Sequence, residues 1–279
     1  MNSPKEKESK KIIFKPLKNL QKIYLKKKIL KCKKTNITNE LKLEILFNTG
    51  HPIIYKNIYK FRNEKEDLKR LINVIGKDTA VSVRYGQFHK PKDYSFKRKI
   101  KKMRFKDFIE QCFKNEKNDL HYLGNHFLSF EELHKIGIKR PNIYEPTDFA
   151  GAQLWIGEKG CITPLHCDGG DNFIYQILGE KKWLVYPPSD YPNLDINLSA
   201  GYPLAGFFCS NLDLSNPKIK NIYSDKSKVN PIEFTLKAGQ SLYLPHGWFH
   251  YVETVKDSIT LNFWVINNQI TPAVSKQYI

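Results

Sequence analysis

The pattern of apolar and polar positions changes character three times along the chain. Over residues 1–40, Ile13, Leu17, Leu20 and Tyr24 recur at helical spacing among lysines, which predicts a basic amphipathic helix docked on the rest of the molecule. From residue 41 to 145 the pattern is mixed. HPIIYKNI (51–58) and TAVSVRYG (79–86) are short, β-branched and read as strands, and the intervening NEKEDLKRLINVIG predicts a helix closed by Gly76. RFKDFIEQCFKN (104–115) predicts a second helix with Phe105, Phe108, Ile109 and Cys112 on one face, and FEELHKIG (130–137) a short third one. After Pro146 the chain reads as strand after strand: GAQLWIG, CITPLHCD, NFIYQILG, KKWLVYPP, IEFTLKAG, QSLYLPHG, FHYVETV and DSITLNFWVI. Gly, Pro, Asp or Asn fall between them at short intervals, the signature of a sandwich, jelly roll or barrel. This divides the chain into a basic appendage (1–40), an α/β part packing on a barrel (41–145), a β core (146–266) and a tail (267–279).

Composition adds limits. With 279 residues, 41% of them hydrophobic and 13% aromatic, the chain is long enough and apolar enough to bury a sizeable core. No run of 18 apolar residues predicts a membrane-spanning helix, and the charged start MNSPKEKESKK predicts no secretory signal. Cys32, Cys112, Cys161, Cys167 and Cys209 are odd in number and form no CxxC pair, which predicts a reducing, intracellular setting, cytoplasmic ahead of nuclear. The net charge of +18 is local. Residues 1–40 carry 13 Lys against 3 Glu, residues 90–106 carry 9 Lys and Arg against Asp93, and the remainder balances at 24 of each sign. Lys outnumbers Arg 40 to 6, which favours a solvated surface over specific phosphate forks. The 90–106 segment nevertheless sets Tyr94, Phe96 and Phe105 among lysines, a mixture suited to phosphates and stacked bases, so RNA is an alternative partner.

The chemistry concentrates in Thr163-Pro164-Leu165-His166-Cys167-Asp168. On a strand His166 and Asp168 project to one face and Cys167 to the other. Two metal ligands are thus in place, and LYLPHGWFHYV offers His246 or His250 as the third. Two histidines and one carboxylate leave positions open on an octahedral ion, the arrangement of non-haem Fe(II) oxygenases. A zinc or manganese cupin could use similar ligands.

TPLHCDGGDNFIYQILGEKKWLVYPPSD, KAGQSLYLPHGWFHYV and LNFW, in that order, resemble the JmjC (cupin-like) hydroxylases, among them the asparaginyl hydroxylase of hypoxia-inducible factor, a lysyl hydroxylase and a tRNA wybutosine hydroxylase. The resemblance is strong over about residues 145–266, weaker but collinear from about residue 48, and absent over 1–40. It implies a mainly β protein: a double-stranded β-helix (jelly-roll, cupin) core with flanking N-terminal α-helices, using Fe(II), 2-oxoglutarate and O2. It also implies His166, Asp168 and His250 as metal ligands, with His246 a turn residue. Lys181, Thr163 and Tyr122 match the contacts to the distal carboxylate of 2-oxoglutarate. Asn172 and Asn262 match positions lining the 2-oxoglutarate or iron site. Trp264, Cys161 and Cys167 read as packing residues. The implied reaction is hydroxylation of a C–H bond, with a protein side chain ahead of an RNA nucleoside as substrate; a non-catalytic cupin is the reading from another class. Only 15 residues follow Trp264, interrupted by Pro272, so the C-terminal helices through which several relatives dimerise do not fit, and the oligomeric state stays open.

Overall fold

The computed structural model describes residues 33–35, 50–56, 59–86, 99–113, 120–141, 149–202, 207–225 and 227–265. The predicted 13–24 helix, Cys32, Tyr94, Phe96 and the 267–279 tail lie outside them.

Thirteen strands and four α-helices make up the described fold. In chain order they are β1 (Lys33–Thr35), β2 (Ile53–Lys56), α1 (Glu64–Ile75), β3 (Ala80–Tyr85), β4 (Ile100–Arg104), α2 (Phe105–Cys112), β5 (His121–Leu128), α3 (Phe130–Lys135), β6 (Phe149–Gly157), β7 (Ile162–Cys167), β8 (Asp171–Tyr186), β9 (Ile196–Tyr202), β10 (Phe207–Ser210), α4 (Pro217–Ile222), β11 (Ile232–Lys237), β12 (Gln240–Leu244) and β13 (Phe249–Val265). The helices begin and end where local chemistry dictates. Asn63 caps α1 through Glu66 N–H, and Gly76, at φ 95°, returns its N–H to Ile72 O. Ser129 and Glu132 form a reciprocal capping box on α3. Phe105, Phe108, Ile109 and Cys112 form the buried face of α2, as their spacing predicts.

Two long strands organise the sheets. β8 and β13 pair antiparallel along almost their whole length. Their outer halves enter one layer, ordered β1-β2-β12-β8-β13-β6-β5-β3-β4. Their inner halves enter a second, where β11 pairs β8, β7 pairs β13, and β10 links β7 to β9. This is the double-stranded β-helix (jelly roll) that the family resemblance implies, and it falls within the sandwich, jelly roll or barrel that the strand pattern predicts. The sequence pattern divides each of these strands in two, at Gly179 and near Lys256-Asp257, and the structure corrects this: both are bends within continuous strands. Gly179 sits at φ +71°, and a Cβ there would lie 2.0 Å from Asp257 O, so the bend requires glycine. Strands β1, β4, β5, β9 and β10 are absent from the sequence prediction. β3, β4 and β5 extend the barrel's own sheet by direct pairing.

Three cores result. Ile54, Ile174, Trp183, Val185, Leu242 and Trp248 fill the space between the layers. α1, α2 and α3 cover the outer face of the larger layer through Leu71, Phe105, Phe108 and Leu133. Tyr191, Leu194, Leu212 and Val229 close the smaller one. Phe105 is wholly buried here, so the structure removes it from the base-stacking set that the basic segment suggested.

Candidate metal centre

β7 delivers His166, and Asp168 follows one residue past its end. His250 arrives on β13 in direct register with His166. The ring centroids of the two histidines lie 4.1 Å apart. His166 Nε2 is 3.5 Å from Asp168 Oδ1, and His250 Nε2 is 3.7 Å from Asp168 Oδ2. One ligand atom from each of the three residues falls within 4.8 Å of the others.

Hydrogen bonding fixes the imidazoles as ligands would need them. His166 Nδ1 lies 2.8 Å from Pro164 O, and His250 Nδ1 lies 3.1 Å from Trp248 O. A carbonyl oxygen only accepts, so both Nδ1 atoms carry the proton and both Nε2 lone pairs point at Asp168. Burial, reinforced by His166, lowers the His250 pKa to about 4, so its ring is neutral at physiological pH. Burial alone would raise the Asp168 carboxyl, and the hydrogen bond from the Trp264 indole N–H works against it. Two imidazoles whose Nδ1 atoms are tied to backbone carbonyls, together with a carboxylate, form a donor set suited to a divalent ion.

His246 sits elsewhere. It occupies the turn between β12 and β13, is buried, and lies outside the cluster of ligand atoms. Its backbone N–H donates to Asp171 Oδ1 at 2.7 Å, and Tyr243 Oη–H donates to Asp171 Oδ2 at 3.0 Å. Asp171, pushed up to about 6 by burial, thereby ties the turn that carries His250 to the start of β8. Nothing in the sequence marked Asp171 out.

The second polar group inside the barrel is cationic. Lys181 is buried, and its Nζ donates to Thr260 Oγ1 at 2.9 Å and sits 5.5 Å from the centre of the Tyr122 ring. No carboxylate pairs with it among the described residues. Burial lowers its pKa to about 8. Tyr122 Oη lies 3.0 Å from Thr163 Oγ1, so Lys181, Tyr122, Thr163 and Thr260 form one cluster. Lys182, of opposite parity, is at the surface against Glu233. Thr163 is three residues from His166, which on a regular strand would set them on opposite faces. The pairings Thr163 with Val252 and His166 with His250 span three residues on β7 but two on β13, and this bulge brings both side chains to one side.

Asn172 Nδ2 donates to Asp168 Oδ2 at 2.9 Å, while its buried Oδ1 has no partner among the described residues. Asn262 is half-buried between Thr260 and Trp264 on their face of β13. Trp264, read from sequence as core, donates its indole N–H to Asp168 Oδ2 at 2.9 Å. Thr260 was not legible either, since a threonine in a strand carries no signal of its own. Cys161, pushed up to about 12 by burial, and Cys167 are buried thiols, and the four described cysteines form no disulfide.

The cupin-like domain model matches residues 38–268. JmjC domain-containing protein D of Dictyostelium discoideum is 30% identical over 252 residues, covering 80% of this chain and 53% of that protein. Human HSPB1-associated protein 1 is 35% identical over 114 residues, covering 40% of this chain and 23% of that protein. The human bifunctional peptidase and (3S)-lysyl hydroxylase JMJD7 is 34% identical over 126 residues, 40% of each chain. The chain spans between about a quarter and about half of the length of these relatives. Among the described residues no helix is long and apolar enough to cross a membrane. By the match over most of its length and by its JmjC-domain relatives, the chain belongs to the cupin-like, JmjC-type family of 2-oxoglutarate oxygenases.

Proposed function

We propose that this protein is an Fe(II)- and 2-oxoglutarate-dependent oxygenase that hydroxylates a C–H bond of a protein side chain. One observation carries the reading: a ligand-ready His-Asp-His cluster shares a barrel interior with a buried lysine that has no acidic partner among the described residues. A buried ammonium is costly unless an anion meets it. A dicarboxylate that chelates a metal with one end and presents a carboxylate at the other satisfies both halves of this site.

In this reading His166 Nε2, His250 Nε2 and Asp168 hold the iron, and Lys181, Thr260, Thr163 and Tyr122 surround the distal carboxylate. Asn172 Oδ1, buried and without a partner among the described residues, and Asn262, on the same face of β13 as Thr260 and Trp264, add to the lining of this interior. The apolar wall of Ile174, Trp183, Val185 and Val252 excludes water from it and strengthens the charge pairing. When bound, Fe(II) and 2-oxoglutarate supply the oxidation: O2 converts the C–H bond to an alcohol while 2-oxoglutarate leaves as succinate and CO2.

A protein substrate is supported by the relatives, one of which is named a lysyl hydroxylase and peptidase and another an HSPB1-associated protein. The burial of Phe105 removes one of the three aromatics behind the RNA alternative. The test is succinate release by the iron-loaded chain challenged with peptide pools and with RNA. The expected result is stimulation by peptides, with a one-oxygen mass gain on a side chain. Stimulation by RNA alone, falling steeply with salt, would transfer the substrate to nucleic acid. Absence of turnover with either, in a chain that binds neither iron nor 2-oxoglutarate, would favour the non-catalytic cupin.

A further inference from the structure

The Asp168 carboxylate is held asymmetrically. Its Oδ2 accepts two hydrogen bonds of 2.9 Å, one from Asn172 Nδ2 and one from Trp264 Nε1. Its Oδ1 lies 3.5 Å from His166 Nε2 and accepts no hydrogen bond from the two donors, while Oδ2, which takes both, lies 3.7 Å from His250 Nε2. A carboxylate oxygen has two in-plane lone pairs, so two N–H donors occupy those of Oδ2 and leave Oδ1 as the oxygen available to a metal. The two donors stand opposite each other in register on β8 and β13, the most extensively paired strands of the fold. Asp168 itself lies between the end of β7 and Gly169-Gly170, a segment with little rigidity of its own. Gly170 is pressed against β13, where a Cβ would lie 2.3 Å from Val265 O.

We infer that Trp264 and Asn172 are positioning residues that confine Asp168 to one-oxygen coordination of the metal. The inference rests on the iron reading above and deepens it. An octahedral ion held by two imidazoles and one carboxylate oxygen keeps about three positions open; a carboxylate chelating through both oxygens would take one of them. A keto acid bound through two atoms and a dioxygen molecule together need three. Trp264 and Asn172 thus set how many reactants the metal accepts, without touching the metal themselves. Their amide and indole N–H groups also orient the ligand in the way outer partners of metal-bound carboxylates do.

Mn(II) serves as probe, because its affinity and its bound waters are both measurable by magnetic resonance without turnover. Trp264→Phe removes the N–H and keeps a ring against Trp155, whose centroid lies 6.5 Å away; Asn172→Ala removes the other donor. For each variant that retains the wild-type melting transition, the Mn(II) Kd is expected to rise about 10-fold, and the number of bound waters to fall by one as Oδ2 joins the ion. Asn172→Ala decides the matter if Trp264→Phe does not fold. Folded variants with the wild-type Kd and water count would overturn this inference and leave the iron reading intact. A wild-type chain that binds no Mn(II) and no Fe(II) would overturn both.

Discussion

Lys181→Met is expected to raise the Kd for 2-oxoglutarate at least about 100-fold while leaving Mn(II) affinity unchanged. Removing one member of a buried charge pair typically costs about 2–5 kcal/mol, because the surviving charge stays desolvated and unmatched. Methionine preserves the volume and the aliphatic stem, so the effect reports the ammonium. The pH dependence follows from the same burial. In the free protein the Lys181 pKa lies near 8, below the 10.5 of an exposed lysine. Between those values the folded chain binds fewer protons than the unfolded one, so its stability rises with pH across that window. Binding a carboxylate restores the charged form. Affinity for 2-oxoglutarate should therefore weaken as pH rises above about 8, with proton uptake on binding, and Lys181→Met should lose this dependence. Calorimetry in buffers of different ionisation enthalpy measures the uptake. A wild-type affinity independent of pH from 7 to 10 would contradict the assignment.

The second large effect separates two neighbouring histidines. His250→Ala is expected to abolish tight metal binding, a loss beyond the roughly 10- to 100-fold typical of an outer partner. It removes one of the three proposed ligands, an imidazole whose Nε2 is aimed at Asp168. His246→Ala is expected to keep metal affinity and to lose about 2 kcal/mol of stability instead, because it empties a buried side-chain volume. The backbone N–H that His246 gives to Asp171 survives the substitution. Parallel Mn(II) titrations and thermal melts read both outcomes. Equal loss of metal in the two variants would mean that His246 contributes to the ligand set.

These substitutions also mark where the sequence was informative. The period of a strand sufficed to bring His166 and Asp168 together, and the ordered motifs selected His250 and Lys181. What escaped was whatever depends on tertiary geometry. Thr163 and His166 share a side only through a bulge against β13, which no alternation pattern encodes. Thr260 and Asp171 acquire their roles from partners 79 and 75 residues away. Trp264 looked like core because an indole on an alternating strand normally is, and its half-buried ring does pack against Trp155. β8 and β13 were each split because Gly179 and Lys256-Asp257 carry turn chemistry, here used to bend strands through two layers. β4 was missed because IKKMR is mostly charged, and β5 because Gly124 and Asn125, the latter at φ 59°, break its run.

The most direct test of the iron site is anaerobic titration of 2-oxoglutarate into the full chain, with and without Fe(II), for wild type and Asp168→Ala. The expected result is tight binding to the wild type that requires the metal, and weak, metal-insensitive binding to Asp168→Ala. Binding by the wild type that is absent, or the same with and without Fe(II), would contradict an oxygenase site built on His166, Asp168 and His250.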